Sequence, residues 1–487
     1  MALYIDLEPP KVHISYFFSP LFLLSYSGLF HHHLFSRFVM NRPEHLKFNM
    51  IITVQEPVVV QPFKETPKET LWTSNVDQLF RRHVPSVYFY RPDGSSNFFD
   101  ASVLRDALSK VLVPFYPVAG RLKKDKNGRL EIECSGEGVL FFEAYTESIL
   151  NDLGDFEPSM ELMQLIPTLG EGHDMFSSPL MLLQVTYFKC GGVSVGVAAQ
   201  HTVSDGISGM HFINSWARTA RGLDVEIPPF LDRTVLIARK PPTPSFPHVE
   251  HQPPPSIEST NQKLECQTSR KCTATFQVSR HQISLLKAQC DDESNPITFS
   301  SYEVLGGHIW RCASKARGLS YEQETTVCMV VDGRTRLNPP LPSGYLGNAI
   351  FHVTANATSG DIVSKPLIYA VQKIHEALVM ADDKYLRSAI DYLELQSNLL
   401  GLCRGPNNFR SPNLGFNSWC RMPIQDVDFG WGRPFYMGLA SILHEGQAYL
   451  LPSPSNDENL TLVISLQSES IVLFKKYFSM FLVKEEK

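Results

Sequence analysis

Between residues 241 and 275 the chain loses its hydrophobic periodicity. Pro241, Pro242, Pro244, Pro247, Pro253, Pro254 and Pro255 crowd the first part, and polar residues follow to Ser269. Each proline fixes φ and removes a backbone donor, so the stretch suits neither a helix interior nor a central strand. It reads as a long crossover, placed at 236–275. On either side of it lie two α+β halves, 50–235 and 276–487. No internal sequence repeat relates them.

Both halves mix strands and helices. Ile51-Ile52-Thr53-Val54 and Ser86–Tyr90 are β-branched and aromatic, as strands are. Val103, Leu104, Ala107, Leu108, Val111 and Leu112 form one stripe of an amphipathic helix over 101–112. Asn127-Gly128 predicts a hairpin. Cys190-Gly191-Gly192 predicts a second, between Met181–Tyr187 and Val193–Gln200. Beyond the crossover the pattern predicts a strand at 273–278, helices from Ser279 and from Ser300 or Ser301, a strand at 325–331, a turn at Asn456–Asn459 and a last helix over 470–481.

With 487 residues, 43% of them hydrophobic, the chain can bury two or three domain cores. A net charge of -6 without a basic run argues against nucleic-acid binding. Nine cysteines without C-x-x-C spacing indicate neither a disulfide framework nor a zinc site, and no metal is expected. They point to a reducing, cytoplasmic setting. Ile14–Phe30 is apolar but interrupted by Pro20 and serines, so stable membrane insertion is not expected. His31–His33 reads as a short polar tract. Residues 1–49 are expected to be a non-domain extension, with Met50 opening the first domain.

The chemistry points to His201-Thr202-Val203-Ser204-Asp205-Gly206. His201 ends an apolar strand and shares the parity of Val193, Val195 and Val197, which aims its imidazole inward. A helix with Ile207, Met210, Ile213, Trp216 and Ala217 follows, and Asp205 sits at its start, where the dipole favours a carboxylate. A desolvated, positioned histidine is how a general base is held. The H-x-x-x-D spacing alone also arises by chance. Gly192-Val193-Ser194-Val195-Gly196 matches G-x-S-x-G, but its strand continues past Ser194, and a nucleophile elbow needs a sharp turn there. A second motif, Asp428-Phe429-Gly430-Trp431-Gly432, reads on its own as a tight aromatic loop.

The two motifs in this order and separation resemble the plant BAHD acyltransferases. Tyr116–Arg121, Asp332–Arg336 and Gly344–Asn348 extend the likeness over Met50 to Leu482. Leu71–Asp77, Pro85–Tyr90, Ser95–Asp100, Tyr187–Gly192 and Asp391–Leu395 make the chain most similar to the family's hydroxycinnamoyl-CoA:shikimate/quinate branch. The resemblance implies two similar chloramphenicol-acetyltransferase-like domains, each a mixed sheet with flanking helices, with a substrate channel at their interface. It implies acyl transfer from a hydroxycinnamoyl-CoA, itself a substrate and not a cofactor, to shikimate or quinate by a monomer. His201 would be the base, without a covalent acyl-enzyme. Asp205 would hold the turn by pairing with an arginine, and Asp428, Gly430 and Trp431 would be structural. Arg404 matches the arginine that grips the acceptor carboxylate, and His83, Ser86, Tyr88 and Trp419 match other acceptor-site residues. Where that branch reads Ile-Thr-Ser-Trp this chain has Phe416-Asn417-Ser418-Trp419. Asn417 donates through an amide of different length, which leaves another alcohol or an amine open as the acceptor.

Overall fold

A computed structural model describes residues 50–170, 172–257, 270–291, 297–453 and 459–480. The 1–49 extension, the His31–His33 tract, residues 258–269 of the crossover, most of the 456–459 turn and Phe481 lie outside the described residues.

The architecture is α+β with two large mixed sheets. The first contains β1 (Ile52–Val54), β2 (Val58–Val60), β4 (His83–Tyr90), β7 (Val139–Thr146), β8 (Met181–Phe188), β9 (Val193–Gln200) and β14 (Tyr436–Gly438). Their order is β1-β7-β8-β9-β4-β14, with β2 also on β7. Only β7 and β8 run parallel in this sheet. The second sheet contains β10 (Lys271–Val278), β11 (Glu324–Asp332), β12 (Ile350–Thr358), β13 (Leu414–Ser418), β15 (Gln447–Pro452) and β16 (Leu460–Gln467), in the order β10-β16-β15-β13-β11-β12. A small sheet of β3 (Thr70–Trp72), β5 (Arg121–Lys124) and β6 (Leu130–Glu133) includes the Asn127-Gly128 hairpin, where Gly128 takes a positive φ of 85°.

The amphipathic stripe of the first half forms the helix Ala101–Val111, capped by Asp100, whose carboxylate accepts from the Ser102 and Val103 amides. It packs on the helix Gly206–Ala220, and Trp216, fully buried, donates its indole N–H to the Leu104 carbonyl at 2.9 Å. In the second half Ser300 and Glu303 form a capping box that starts the helix Ser301–Arg317. This helix packs against those at Leu367–Met380 and Ser468–Met480 over the second sheet.

β14 crosses between the halves. It follows the Asp428–Gly432 loop in sequence, far into the second half, yet pairs antiparallel with β4 in the first sheet. The loop is its anchor. Phe429 packs edge-on to Trp216 at 4.7 Å and against Phe99 at 5.6 Å, and Trp431 lies 5.1 Å from Phe99. Asp428 accepts from the amides of Gly430 and Gly432, which take φ of 107° and 98°. These angles strain any residue with a Cβ. No helix of the described residues is long and apolar enough to cross a membrane.

Candidate active site

A cavity of about 1520 Å³ opens between the two large sheets. Val197, Ala199 and His201 all line it, so the parity that aims His201 inward aims it into this space. Ala198, of opposite parity, packs into a separate core beneath the first sheet. His201 is half-buried, its amide donates to the Arg82 carbonyl at 2.9 Å, and its ring stacks on Phe80 with centroids 4.3 Å apart and planes at 16°.

The imidazole is held from its far side by residues of both halves. Nδ1 of His201 lies 3.0 Å from Oδ1 of Asn348. The amide nitrogen of Asn348 donates to Oδ1 of Asp77 and to the His201 carbonyl, each at 2.8 Å. Both partners can only accept, which fixes the amide with its oxygen toward the ring. Nδ1 therefore carries the proton, and Nε2 keeps its lone pair. Behind Asn348, Asp77 also accepts from the Asn348 backbone amide at 2.8 Å and pairs with Arg233 at 3.2 Å, both acid and base buried. Burial holds the His201 imidazole below its ordinary 6.5, against an opposing pull from the Asp205 charge.

Asp205 is turned away from that ring. It caps the helix Gly206–Ala220 by accepting from the Ser208 amide at 3.0 Å, and it forms a two-pronged pair with Arg334 at 2.8 Å on each prong. It also accepts from the Ala349 amide at 2.9 Å. Burial pushes its carboxyl up, but the Arg334 charge and these donors prevail and hold it below the usual range. The pair ties the His201 turn to the segment after β11, and the Ala349 bond ties it to the 344–349 segment that also carries Asn348.

Most of the residues matched to an acceptor site come to this cavity. Ser86 and Tyr88 line it from β4, and Asn417 and Trp419 from the second sheet and the loop after it. Asn417 stands beside Tyr449, its register partner on β15. Trp419 stands edge-on to Tyr449 at 5.9 Å. Arg404 lines the cavity and donates through Nη2 to the Glu250 carbonyl at 2.6 Å, and its buried Nε has no partner among the described residues. His83 is not brought there. It has the parity opposite to Ser86 and Tyr88, and its Nε2 lies 2.9 Å from the Pro179 carbonyl. Asp428, Gly430 and Trp431 are also absent from the lining, held in the first-half packing described above. Ser194 is fully buried inside β9, opposite Phe89 and Thr186, with no turn to expose its hydroxyl. Among the described residues no cluster of three or more His, Cys, Asp or Glu side chains is placed to hold a metal ion.

Nothing local in the chain singles out Phe80, His352 and Tyr449, and Asp77 lies in a stretch carrying the family likeness without a role; they come together only through strand register and the crossing of chain segments. Asn348 lay inside a stretch carrying the family likeness, without a role. Two basic residues of the crossover are used internally: Arg239 pairs with Asp391 at 2.6 Å, and Lys271 donates to the Ile442 carbonyl at 2.7 Å. Arg280 and Lys287 line the cavity instead, beside Ser300 and Ser301.

The family model "Transferase family" matches residues 50–481. A shikimate O-hydroxycinnamoyltransferase of Nicotiana tabacum is 53% identical over 431 residues, 88% of this chain and 99% of the relative. A hydroxycinnamoyl-CoA:5-hydroxyanthranilate N-hydroxycinnamoyltransferase of Avena sativa is 49% identical over 441 residues, again 88% of this chain and 99% of the relative. Among solved structures, vinorine synthase superposes with a TM-score of 0.67 over 87% of this chain and 96% of its own, at 23% identity, and so shares the two-domain acyltransferase fold. On the family match and on relatives spanned almost end to end, the chain belongs to the Transferase family, the BAHD acyltransferases.

Proposed function

We propose that this enzyme moves a hydroxycinnamoyl group, p-coumaroyl or caffeoyl, from CoA to the hydroxyl of shikimate or quinate. The observation that carries the reading is the neutral imidazole of His201, locked with Nδ1 on Asn348 and set in a cavity between the sheets. An alcohol does not ionise near neutrality, so its proton must leave as its oxygen attacks. Nε2 of His201 takes that proton while the oxygen adds to the thioester carbonyl. The tetrahedral oxyanion is met by donors of the cavity wall, for which the Asn417 amide and Trp419 indole are the candidates. Collapse expels the CoA thiolate, and the imidazolium returns the proton to the sulfur. No acyl-enzyme forms.

Arg404 receives the acceptor carboxylate in its planar fork, with Ser86 and Tyr88 on the opposite wall. CoA enters past Ser300 and Ser301, where a helix N-terminus and the nearby Arg280 and Lys287 suit phosphate. Asp205 acts through the turn it holds, and the Asp428–Gly432 loop through the crossing of β14. In this reading the halves 50–235 and 276–487, joined by the 236–275 crossover, form the two walls of the channel of a monomeric, cytoplasmic enzyme. Asn417 favours one second reading, an amine acceptor such as the one named for the Avena sativa relative.

The test is p-coumaroyl-CoA with shikimate, quinate and 5-hydroxyanthranilate, followed by chromatography of the products. Ester with shikimate or quinate, abolished in His201→Ala, is expected. Amide alone from 5-hydroxyanthranilate selects the second reading, and no product with any of the three removes both.

A further inference from the structure

A second imidazole faces the same cavity and has no part in the chemistry above. His352 lies on β12, opposite Val330 of β11. Phe351 and Val353, its chain neighbours, are buried in the second-half core, whereas His352 is half-buried and lines the cavity. Val330, Asn417 and Tyr449 line the cavity with it. Register pairs Val330 with His352, and Asn417 with Tyr449, so these side chains share one face of the second sheet. One aromatic ring separates the two imidazoles: Phe80 lies 4.3 Å from His201 and 6.0 Å from His352.

On the other side His352 is close enough to Arg404 to feel its charge, and it feels that of His201 as well. Burial above all, then these charges, holds it well below its ordinary 6.5, so the ring is neutral and offers one donor and one acceptor. Its ring nitrogens make no hydrogen bond among the described residues, and the side chain lines the cavity. When a substrate fills the cavity and expels water, a polar group left without a partner penalises any ligand that cannot meet it.

We propose that His352 is a specificity-determining residue that hydrogen-bonds a free hydroxyl on the acceptor, between the carboxylate at Arg404 and the hydroxyl acylated at His201. This rests on the acceptor reading given above and narrows it. The preferred acceptor is a hydroxylated acid with at least one hydroxyl besides the one acylated. A monohydroxy acid leaves the imidazole unmet and is rejected although its carboxylate and reacting oxygen are in place.

The experiment compares shikimate with a monohydroxycyclohexenecarboxylate that keeps the carboxylate and the acylated hydroxyl but lacks the other two. Both are assayed with p-coumaroyl-CoA on wild type, His352→Phe and His352→Gln. Wild type should favour shikimate in kcat/KM by roughly 10- to 100-fold, the range of one unmet hydrogen bond in a desolvated site. His352→Phe keeps the packing against Phe80 and should bring the ratio to within about threefold of unity, through a higher KM for shikimate. His352→Gln restores a donor and an acceptor and should regain much of the preference. A wild-type ratio near unity, or a ratio unchanged in His352→Phe, overturns the proposal while leaving the acyl transfer intact. A wild type that acylates neither acid overturns the acceptor reading itself, and the inference with it.

Discussion

Asn348→Ala tests whether His201 works as a positioned, single-tautomer base. The substitution removes the acceptor of Nδ1–H and two donors, one to the buried Asp77 carboxylate and one to the His201 carbonyl. Losing one charge-assisted bond and two neutral ones in a buried site costs on the order of 4 kcal/mol of stability. Water entering the hole offsets part of that. In catalysis the ring becomes free to turn and to exchange its tautomer, and kcat should fall about 100-fold, within the range of a general-base contribution. The KM for p-coumaroyl-CoA should hold, since Asn348 is fully buried behind the imidazole. The pH profile should move too. Wild-type His201 titrates below 6.5 because it is desolvated, so kcat/KM should stay level down through that value before falling. Opening the site relieves the desolvation, and the acid limb should shift upward. The assay is kcat/KM against pH from 5 to 9, with urea unfolding run in parallel. A folded Asn348→Ala enzyme with kcat within twofold of wild type and an unmoved acid limb would refute the argument.

Asp205→Asn keeps a helix cap but takes from the half-buried Arg334 its two-pronged partner and leaves it the Asp332 carboxylate at 3.0 Å, and should cost roughly 2–3 kcal/mol in urea unfolding. If Asp205 is structural, the surviving fraction should keep its KM for acyl-CoA. Ser194→Ala should leave kcat/KM within twofold, and serine-directed covalent probes should not label this position; labelling there would reinstate a hydrolase reading. His308 is buried, and desolvation lowers its folded pKa from 6.5 to about 4. The unfolded state therefore binds more protons below 6.5. The stability tied to this group is complete above that value and falls away toward pH 4, by up to about 3 kcal/mol. Urea midpoints at pH 7.5 and 5.0 should show the loss, and His308→Leu should reduce it.

What was legible in the chain was local. The helix Ala101–Val111 and the strand Val193–Gln200 follow from periodicity, and the pattern narrows the start of the helix Ser301–Arg317 to Ser300 or Ser301. The inward aim of His201 could be read because parity needs only a few consecutive residues. The Asp205 carboxylate could be placed at a helix start, but its Arg334 partner is 129 positions away, and no spacing rule reaches that far. Nor could periodicity bring Asp77 and Asn348 together, because their contact is made by two segments crossing between halves. His83 shows the cost of carrying a role by position: it stands just ahead of the Pro85–Tyr90 stretch, and its parity turns it from Ser86 and Tyr88 toward Pro179. The polar face of His352, Asn417 and Tyr449 depends on cross-strand register, which is set by the whole sheet.

β14 gives the molecule an order of assembly. Because Tyr436–Gly438 closes the rim of β4, ribosomal synthesis must pass residue 438 before the earlier sheet can be completed. Until then β4 presents bare amides and carbonyls along that rim, where a strand of another chain can add. A truncation at the crossover would make this exposure permanent. Such a fragment should aggregate, and a separately expressed second half could rescue it only by threading its own strand into place.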